Sequence, residues 1–360
     1  MSVLIAVVLS VPSYARAAEV SAESAVLYDP LTEKIIWEKD PHRQMPMAST
    51  TKIMTAYTAL KLYEPEENIC IKPMWTGIEG SSMYLKSGEE MNIYELICGL
   101  MLMSGNDAAE AVAGLFTGNR DDFVELMNVN AQKLGMNNTS FENPSGLDGE
   151  KHYSTAYDMA LLAASALEND IFRDIVSSVS LDAAGRQMTN HNKLLSMYPG
   201  VIGVKTGYTK KAGRCLVSAA ERAGRQLVCV TLSAPDDWND HIGLYNMAYD
   251  SLTEKEMVSS GTVCKTEIVS GESGFCRLYT DEGYTASVFQ DEKTEIIIYG
   301  PRFVYAPVCA GERYGKIAVE VDGCEVWSSD LYYEKDIEAE TPVSQNEGFW
   351  KMIGKKIFRM

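Results

Sequence analysis

Ser24-Ala25-Val26-Leu27-Tyr28-Asp29-Pro30-Leu31-Thr32-Glu33-Lys34-Ile35-Ile36-Trp37-Glu38 carries two apolar runs on either side of a turn-forming Asp-Pro pair, the pattern of a β-hairpin. What decides the fold is where strands return. Strand-like runs recur far downstream at 200–206, 215–221 and 227–233, with Ala223-Gly224-Arg225 as the turn of the last pair. The sequence between them is helical in period. Ile53, Met54, Tyr57 and Leu60 repeat at helical intervals, which predicts an amphipathic helix over 50–62 beginning at Ser49. Ile93 to Met103 is almost wholly apolar yet too short to span a membrane, so it reads as a buried helix ending at Ser104-Gly105-Asn106. A further helix follows from about Asp107 to Phe116. Residues 119–175 look mainly helical, broken by the loop Asn143-Pro144-Ser145-Gly146-Leu147-Asp148-Gly149. Strands at both ends with helices between them predict an α+β domain whose two ends share one antiparallel sheet.

The chain has 360 residues, which suits one large domain and a smaller one. The large domain is placed at 18–255. Beyond it the pattern changes to short strands at 262–263, 286–289, 295–299, 316–321 and 325–327, and Asp322-Gly323 is a strong type I′ hairpin signal. Residues 256–338 therefore read as a small all-β domain, and the polar stretch 334–347 as the start of a linker. The last fifteen residues, 346–360, hold four basic groups against one acidic, with Phe349, Trp350, Ile353, Ile357 and Met360 on one arc of a helical wheel. A basic amphipathic segment on an acidic protein predicts an in-plane membrane anchor within 339–360. At the other end, residues 2–13 are apolar and uncharged, and Ala15-Arg16-Ala17 gives a small-x-small cleavage pattern, so 1–17 reads as a signal peptide and the protein as exported.

A formal net charge of −18 argues against nucleic acid, which is held by a basic surface. The eight cysteines include no C-x-x-C pair, and most are expected to be buried as small hydrophobes, with no disulfide assigned. Four scattered histidines in no zinc-protease spacing imply no metal, and no cofactor is implied either. His152, just before Tyr153-Ser154-Thr155, reads as a neighbour of the active site or as a structural hydrogen-bonding group.

Three clusters carry chemistry: Ser49-Thr50-Thr51-Lys52, Ser104-Gly105-Asn106 and Lys205-Thr206-Gly207. A serine hydroxyl is a poor nucleophile unless a base lies within hydrogen-bond reach, and Lys52, three residues on, shares a helix face with Ser49. To accept a proton that lysine must be neutral for part of the time, which desolvation and a second cation favour. Lys205 is the candidate cation. The helix start at Ser49 offers backbone N–H groups to an oxyanion. Ser104 can relay a proton to a leaving amine, and the Asn106 amide can grip a peptide group by donor and acceptor together. Lys205 and Thr206 suit a terminal carboxylate, with Gly207 leaving room for a substrate backbone.

Serine-x-x-lysine, serine-x-asparagine and lysine-threonine-glycine in this order mark penicillin-binding proteins and class A β-lactamases, where the middle motif is Ser-Asp-Asn. With Pro46-Met47-Ala48 before Ser49, Leu102 to Ala109, Gly135-Met136, Asn138-Thr139, Ser154 to Met159 and Gly203 to Thr209, the chain resembles the D-alanyl-D-alanine carboxypeptidases, the low-molecular-mass penicillin-binding proteins. The resemblance is close over roughly 20–255 and looser beyond. It implies a penicillin-binding-protein/β-lactamase-like fold followed by a small β domain. It also implies an acyl-enzyme in which Ser49 attacks the penultimate D-Ala of a peptidoglycan stem peptide ending in D-Ala-D-Ala. By the same resemblance the Ser49 and Tyr208 N–H groups form an oxyanion hole, β-lactams acylate Ser49, and the protein sits on the outer face of a bacterial cytoplasmic membrane. The middle motif here is Ser-Gly-Asn, as in that family, and no Glu-x-x-Leu-Asn supplies the deacylating glutamate of class A enzymes; Glu142 reads as loop structure. A β-lactamase and a catalytically weak penicillin-recognising or wall-binding protein are the rival readings.

Overall fold

A computed structural model describes residues 19–341; the expected signal peptide and the amphipathic segment 346–360 lie outside the described residues. Two compact units meet in sequence between Leu252 and Thr253. In chain order the first holds β1 Ser24–Asp29, β2 Lys34–Lys39, a 3-10 turn Ala48–Thr51, α1 Lys52–Leu62, β3 Asn68–Cys70, β4 Glu90–Asn92, α2 Ile93–Leu102, α3 Asn106–Leu115, α4 Arg120–Lys133, α5 Ala156–Ala166, α6 Asp170–Ser177, β5 Ser180–Ala183, β6 Arg186–Thr189, α7 Leu194–Met197, β7 Val201–Thr209, β8 Gly213–Arg222, β9 Arg225–Leu232 and α8 Asp237–Tyr249.

The main sheet runs β2-β1-β9-β8-β7. As the sequence predicts, its first and last segments are joined: β1 pairs antiparallel with β9, Val26 opposite Val230. Every residue of β1 is buried, because both faces of the sheet are covered. Val26, Tyr28, Val217, Val228 and Val230 face the helical core. On the other face, Ser218 and Thr231 hydrogen-bond the two ring nitrogens of His241 on α8 at 2.6 and 2.9 Å. Burial pushes that imidazole down to about 3, so it stays neutral. Helix α8 was not expected from sequence, since its polar first turn hides the apolar face. Helix α2 is buried along its length and starts on a capping box, Asn92 accepting from Glu95 N and Glu95 from Asn92 N.

The second unit is all β: β10 Thr253–Val258, β11 Gly261–Val269, β12 Phe275–Thr280, β13 Tyr284–Val288, β14 Thr294–Tyr299, β15 Phe303–Tyr305, β16 Arg313–Val321 and β17 Cys324–Tyr333. Six strands form one sheet in the order β14-β16-β17-β12-β11-β15, and β10 pairs with β13. Asp322 and Gly323 both have positive φ, 49° and 84°, as a type I′ turn requires. The expected linker begins later than 334, because Ile337 bridges Val308 and Ala339 bridges Gly271. All eight cysteines are free thiols, four of them buried, and no described helix is long and apolar enough to cross a membrane.

One buried ion pair ties the ends of the main sheet. Asp29, closing β1, accepts from Arg225 Nε at 2.9 Å and from Nη2 of the same guanidinium, with both side chains almost fully buried. The carboxylate also accepts from Leu31 N and Thr32 Oγ1, at 2.9 and 3.0 Å, and so shapes the hairpin turn. Removing one partner of a buried pair costs about 3–5 kcal/mol. Asp29→Ala is expected to lower the free energy of unfolding of the first unit by that amount, read from urea unfolding followed by tryptophan fluorescence.

Candidate active site

Ser49 sits in the 3-10 turn that feeds α1, one turn tighter than the α-helical start predicted from sequence. The turn is held from within, Thr50 Oγ1 donating to Met47 O at 2.7 Å and Thr51 Oγ1 to Ala48 O at 2.8 Å. Ala48 is forced to φ +48°, a left-handed conformation that a non-glycine residue holds only when its surroundings fix it. His152 is one of the groups that fix it. Its Nδ1 accepts from Glu142 N at 3.0 Å, so in the neutral ring the proton lies on Nε2, 2.8 Å from Thr51 Oγ1. Burial pushes this imidazole down to about 4. His152 is therefore a structural donor that braces the nucleophile's turn.

Two glycines let backbone approach that turn. A Cβ on Gly146 would lie 2.0 Å from Ala48 O, and its φ is +88°. A Cβ on Gly207 would lie 3.0 Å from Met47 O and 3.1 Å from Ser49 N. The sequence reading kept Gly207 clear for a substrate backbone; in the structure the space is taken by the protein's own Ser49 turn, which packs directly on β7.

Lys52 opens α1 and is 0% exposed. Its Nζ lies 3.1 Å from Ser49 Oγ, 2.7 Å from Asn106 Oδ1 and 2.5 Å from Ser145 O. Burial first, and then the Lys205 charge, holds its pKa well below the ordinary lysine value. A neutral amine has two N–H bonds and one lone pair. Asn106 Oδ1 and Ser145 O take the two hydrogens, which leaves the lone pair for the Ser49 hydroxyl. The loop that supplies Ser145 O is organised by Asn143, whose Oδ1 accepts from Ser145 N, Gly146 N and Leu147 N, and is tied to α1 by Thr55 Oγ1 donating to Pro144 O at 2.6 Å. Glu142 Oε2 accepts from Lys151 N at 3.0 Å.

Ser104 lies between α2 and α3 at φ +58° and lines the cleft. Asn106, on the first turn of α3, was expected to grip a substrate peptide group by donor and acceptor together. Its acceptor is instead engaged by Lys52, and Nδ2 donates to Glu79 O at 2.6 Å, so one amide hydrogen is left for a substrate carbonyl. Asp107, unassigned by sequence reasoning, anchors the loop over this wall: its carboxylate accepts from Ser82 Oγ, Met83 N and Leu85 N.

The opposite wall is β7. Lys205 is 2% exposed, with Nζ donating to Thr206 O at 3.0 Å, and burial brings its pKa down to about 7. It lies behind the cleft surface, which Thr206, Gly207 and Tyr208 present, and its charge is felt by Lys52 and by His191, whose pKa is lowered by burial and then by Lys205. Tyr208 is 67% exposed. The cleft, about 360 Å³, is lined by Ser49, Ser104 and the 206–208 wall together with Arg214, Asp237 and Trp238. Arg214 stands opposite Tyr208 on β8. Its Nε and Nη2 donate to Asp237 Oδ1 at 3.1 and 2.6 Å, and its guanidinium lies over the Trp238 ring at 5.5 Å. Sequence reasoning missed Arg214; an exposed charge on the same face of β8 as buried Leu216 was the available signal. A serine beside a neutral amine, in a cleft with a hydroxyl and a cation on one wall, can transfer an acyl group from a substrate that carries an anion.

The chain is similar to known proteins over nearly its whole length. The sequence pattern of the family described as D-alanyl-D-alanine carboxypeptidase matches residues 11–236. The D-alanyl-D-alanine carboxypeptidase DacF of Bacillus subtilis is 30% identical over 349 residues, covering 92% of this chain and 86% of that protein. Among solved structures, the D-alanyl-D-alanine carboxypeptidase DacD of Francisella tularensis superposes with a TM-score of 0.63 at 25% identity, over 90% of this chain and 95% of that one. Penicillin binding protein 5 of Haemophilus influenzae superposes with a TM-score of 0.65 at 25% identity, over 89% and 99%.

The Lys52–Lys205 pair has a readable pH signature. Activity that needs neutral Lys52 rises as pH climbs through its depressed pKa. Lys205→Gln removes a positive neighbour, which favours protonated Lys52 and raises that pKa. The ascending limb of the kcat/KM profile is therefore expected to move to higher pH in Lys205→Gln, measured as acylation of Ser49 against pH.

Proposed function

The chain belongs to the D-alanyl-D-alanine carboxypeptidase family, and we propose that it performs that family's reaction with Ser49 as nucleophile and Lys52 as its base. It is a serine peptidase that binds penicillin, acting on peptidoglycan peptides that end in D-Ala-D-Ala. In the proposed sequence the Lys52 lone pair takes the hydroxyl proton while Ser49 Oγ bonds to the carbonyl carbon of the penultimate D-Ala. The backbone N–H groups of Ser49 and Tyr208 take the oxyanion, the C–N bond breaks, and the terminal D-Ala leaves with a proton delivered through Ser104. Water then hydrolyses the ester. Thr206 and Arg214 face the departing carboxylate, while Lys205 supplies positive charge from its buried place on β7. A β-lactam enters as a carbonyl analogue and acylates the same oxygen.

The observation that carries this reading is the 3.1 Å contact between Ser49 Oγ and a fully buried lysine whose pKa is depressed. The lack of a Glu-x-x-Leu-Asn pattern after the Ser-Gly-Asn motif favours the carboxypeptidase over the β-lactamase. With a diacyl-Lys-D-Ala-D-Ala peptide the protein is expected to release D-Ala, and Ser49→Ala to lose on the order of 10³-fold or more in rate. Release at the normal rate by Ser49→Ala would overturn the assignment, and rapid penicillin turnover without D-Ala release would move it to the β-lactamases.

The same proposal extends to setting. The apolar leader 2–13 with its Ala15-Arg16-Ala17 site, and the basic amphipathic segment 346–360, support an exported protein held on the outer face of a bacterial cytoplasmic membrane, where trimming of stem peptides serves cell-wall biogenesis and cell shape. Deletion of 346–360 is expected to move the protein from the membrane to the soluble fraction on cell fractionation, with unchanged D-Ala release from soluble peptide.

A further inference from the structure

The turn between β5 and β6 reaches the loop 79–89, whose Ser81 lines the cleft. Ala184 and Gly185 both have positive φ, 51° and 66°, so the hairpin closes on two residues as a type I′ turn does. Ala184 N donates to Glu95 Oε1 at 3.0 Å, which fastens the tip to the capped start of α2. Arg186, the first residue of β6, extends from this tip. Its Nη1 and Nη2 donate to Glu89 Oε1 and Oε2 at 2.7 and 2.8 Å, a two-pronged geometry that fixes orientation as well as distance. Nη2 also donates to Tyr84 O at 3.2 Å. Beside this fork a cavity of about 460 Å³ separates tip from loop, lined by Met83, Tyr84 and Lys86 on one side and by 184–187 on the other. The ion pair, rather than close packing of side chains, therefore sets their separation.

What the loop holds is an active-site side chain. Ser81 O accepts from Asn106 N at 2.7 Å, Glu79 O accepts from Asn106 Nδ2 at 2.6 Å, and a Cβ on Gly80 would come within 2.6 Å of that same nitrogen. Asn106 in turn holds Lys52 through Oδ1. Farther along the loop, Tyr84 sits at φ +62°, a left-handed conformation that a tyrosine keeps only when its surroundings impose it. Asp107 takes the N–H groups of Met83 and Leu85 on either side, and Arg186 takes the carbonyl between them. We infer that Arg186 is a positioning residue for acylation: through Glu89 and Tyr84 O it fixes the 79–89 loop, and through that loop the placement of Asn106 against Lys52 and the substrate. The guanidinium itself does not line the cleft. Its pair with Glu89 is mostly buried, the two side chains being 18% and 22% exposed, so it is screened less than a surface pair. The inference rests on the proposed roles of Ser49 and Lys52.

Acylation of Ser49 by a fluorescent penicillin, measured on the full chain as a second-order rate constant, tests this. Arg186→Gln and Glu89→Gln are each expected to slow acylation by about tenfold, the scale of a small misplacement in a reacting site. Both act through one contact, so the double variant should be no slower than the slower single variant. On an Asn106→Ala background Arg186→Gln should have no further effect, because the side chain it positions is gone. A general loss of folded enzyme would slow both backgrounds alike. Glu89→Gln is nearly isosteric and leaves the guanidinium in place, so it carries the same test where Arg186→Gln misfolds. Single variants that acylate at the parent rate, or an Arg186→Gln change that slows parent and Asn106→Ala by the same factor, would overturn the inference. A parent whose Ser49 stays unlabelled by penicillin would instead overturn the proposed nucleophile, and this inference with it.

Discussion

A lysine amine taken wholly out of water is the constraint on which the rest of this site depends. Desolvation disfavours the charged form, so burial, helped by the Lys205 charge, shifts an ordinary cation toward the neutral amine that can take a serine proton. Burial of a polar group without partners is costly, however. Asn106 Oδ1 and Ser145 O meet that cost for Lys52, and they come from two walls that have no sequence proximity to α1. The helical region and the 143–147 loop are thus organised around the amine. Asn143 folds the loop, Thr55 fastens it to α1, and Asp107 pins the segment 82–85 against α3.

The same logic explains why the site is tight where a substrate might have been expected to need room. Ser49 must point at the cleft while Lys52 lies beneath it. A 3-10 turn with Ala48 at positive φ achieves this, at a strain that persists only when packing over-determines it. Gly146 presses on the turn from one side, Gly207 from the other, and the Glu142–His152–Thr51 chain braces it from below. None of these groups touches the reacting atoms. Each acts by fixing the distance between one hydroxyl and one amine, and general-base catalysis is sensitive to that distance.

Much of this was legible in the sequence, and the reason differs by element. The hairpin 24–38, the buried helix 93–103 and the returning strands follow from periodicity and turn chemistry, which are local. The union of β1 with β9 followed from the strands' position at both ends of the segment. Helix α8 and the hairpins β3–β4 and β5–β6 did not emerge, because their apolar spacing is short or masked by polar residues that the fold buries, as with His241 between Ser218 and Thr231. Within the site, the residue types and their order singled out Ser49, Lys52 and Ser104, which the structure places with Lys52 Nζ 3.1 Å from Ser49 Oγ and both serines on one cleft. What sequence could not give was which partner each polar atom takes. Asn106 looked free to clasp a substrate because nothing local says that Lys52 Nζ lies 2.7 Å from its oxygen. Gly207 looked like substrate clearance because the turn that fills it is 158 positions away.

The three cations near the cleft divide its electrostatics by depth. Lys52 is fully buried, and in the proposed mechanism it acts as a neutral base, so its charge has to be suppressed. Lys205, equally buried but with its ammonium on Thr206 O, shares with Gly207 the face of β7 that packs on the Ser49 turn, and its charge helps to suppress Lys52. Arg214 remains partly exposed, is always protonated, and is oriented by Asp237 and Trp238. An arginine in the place of Lys52 could never be a base. Arginine stands at a partly exposed part of the cleft and lysine in its interior, an arrangement that follows from which cations can lose a proton. It separates recognition of an anionic chain terminus from activation of the serine within a single cleft of about 360 Å³.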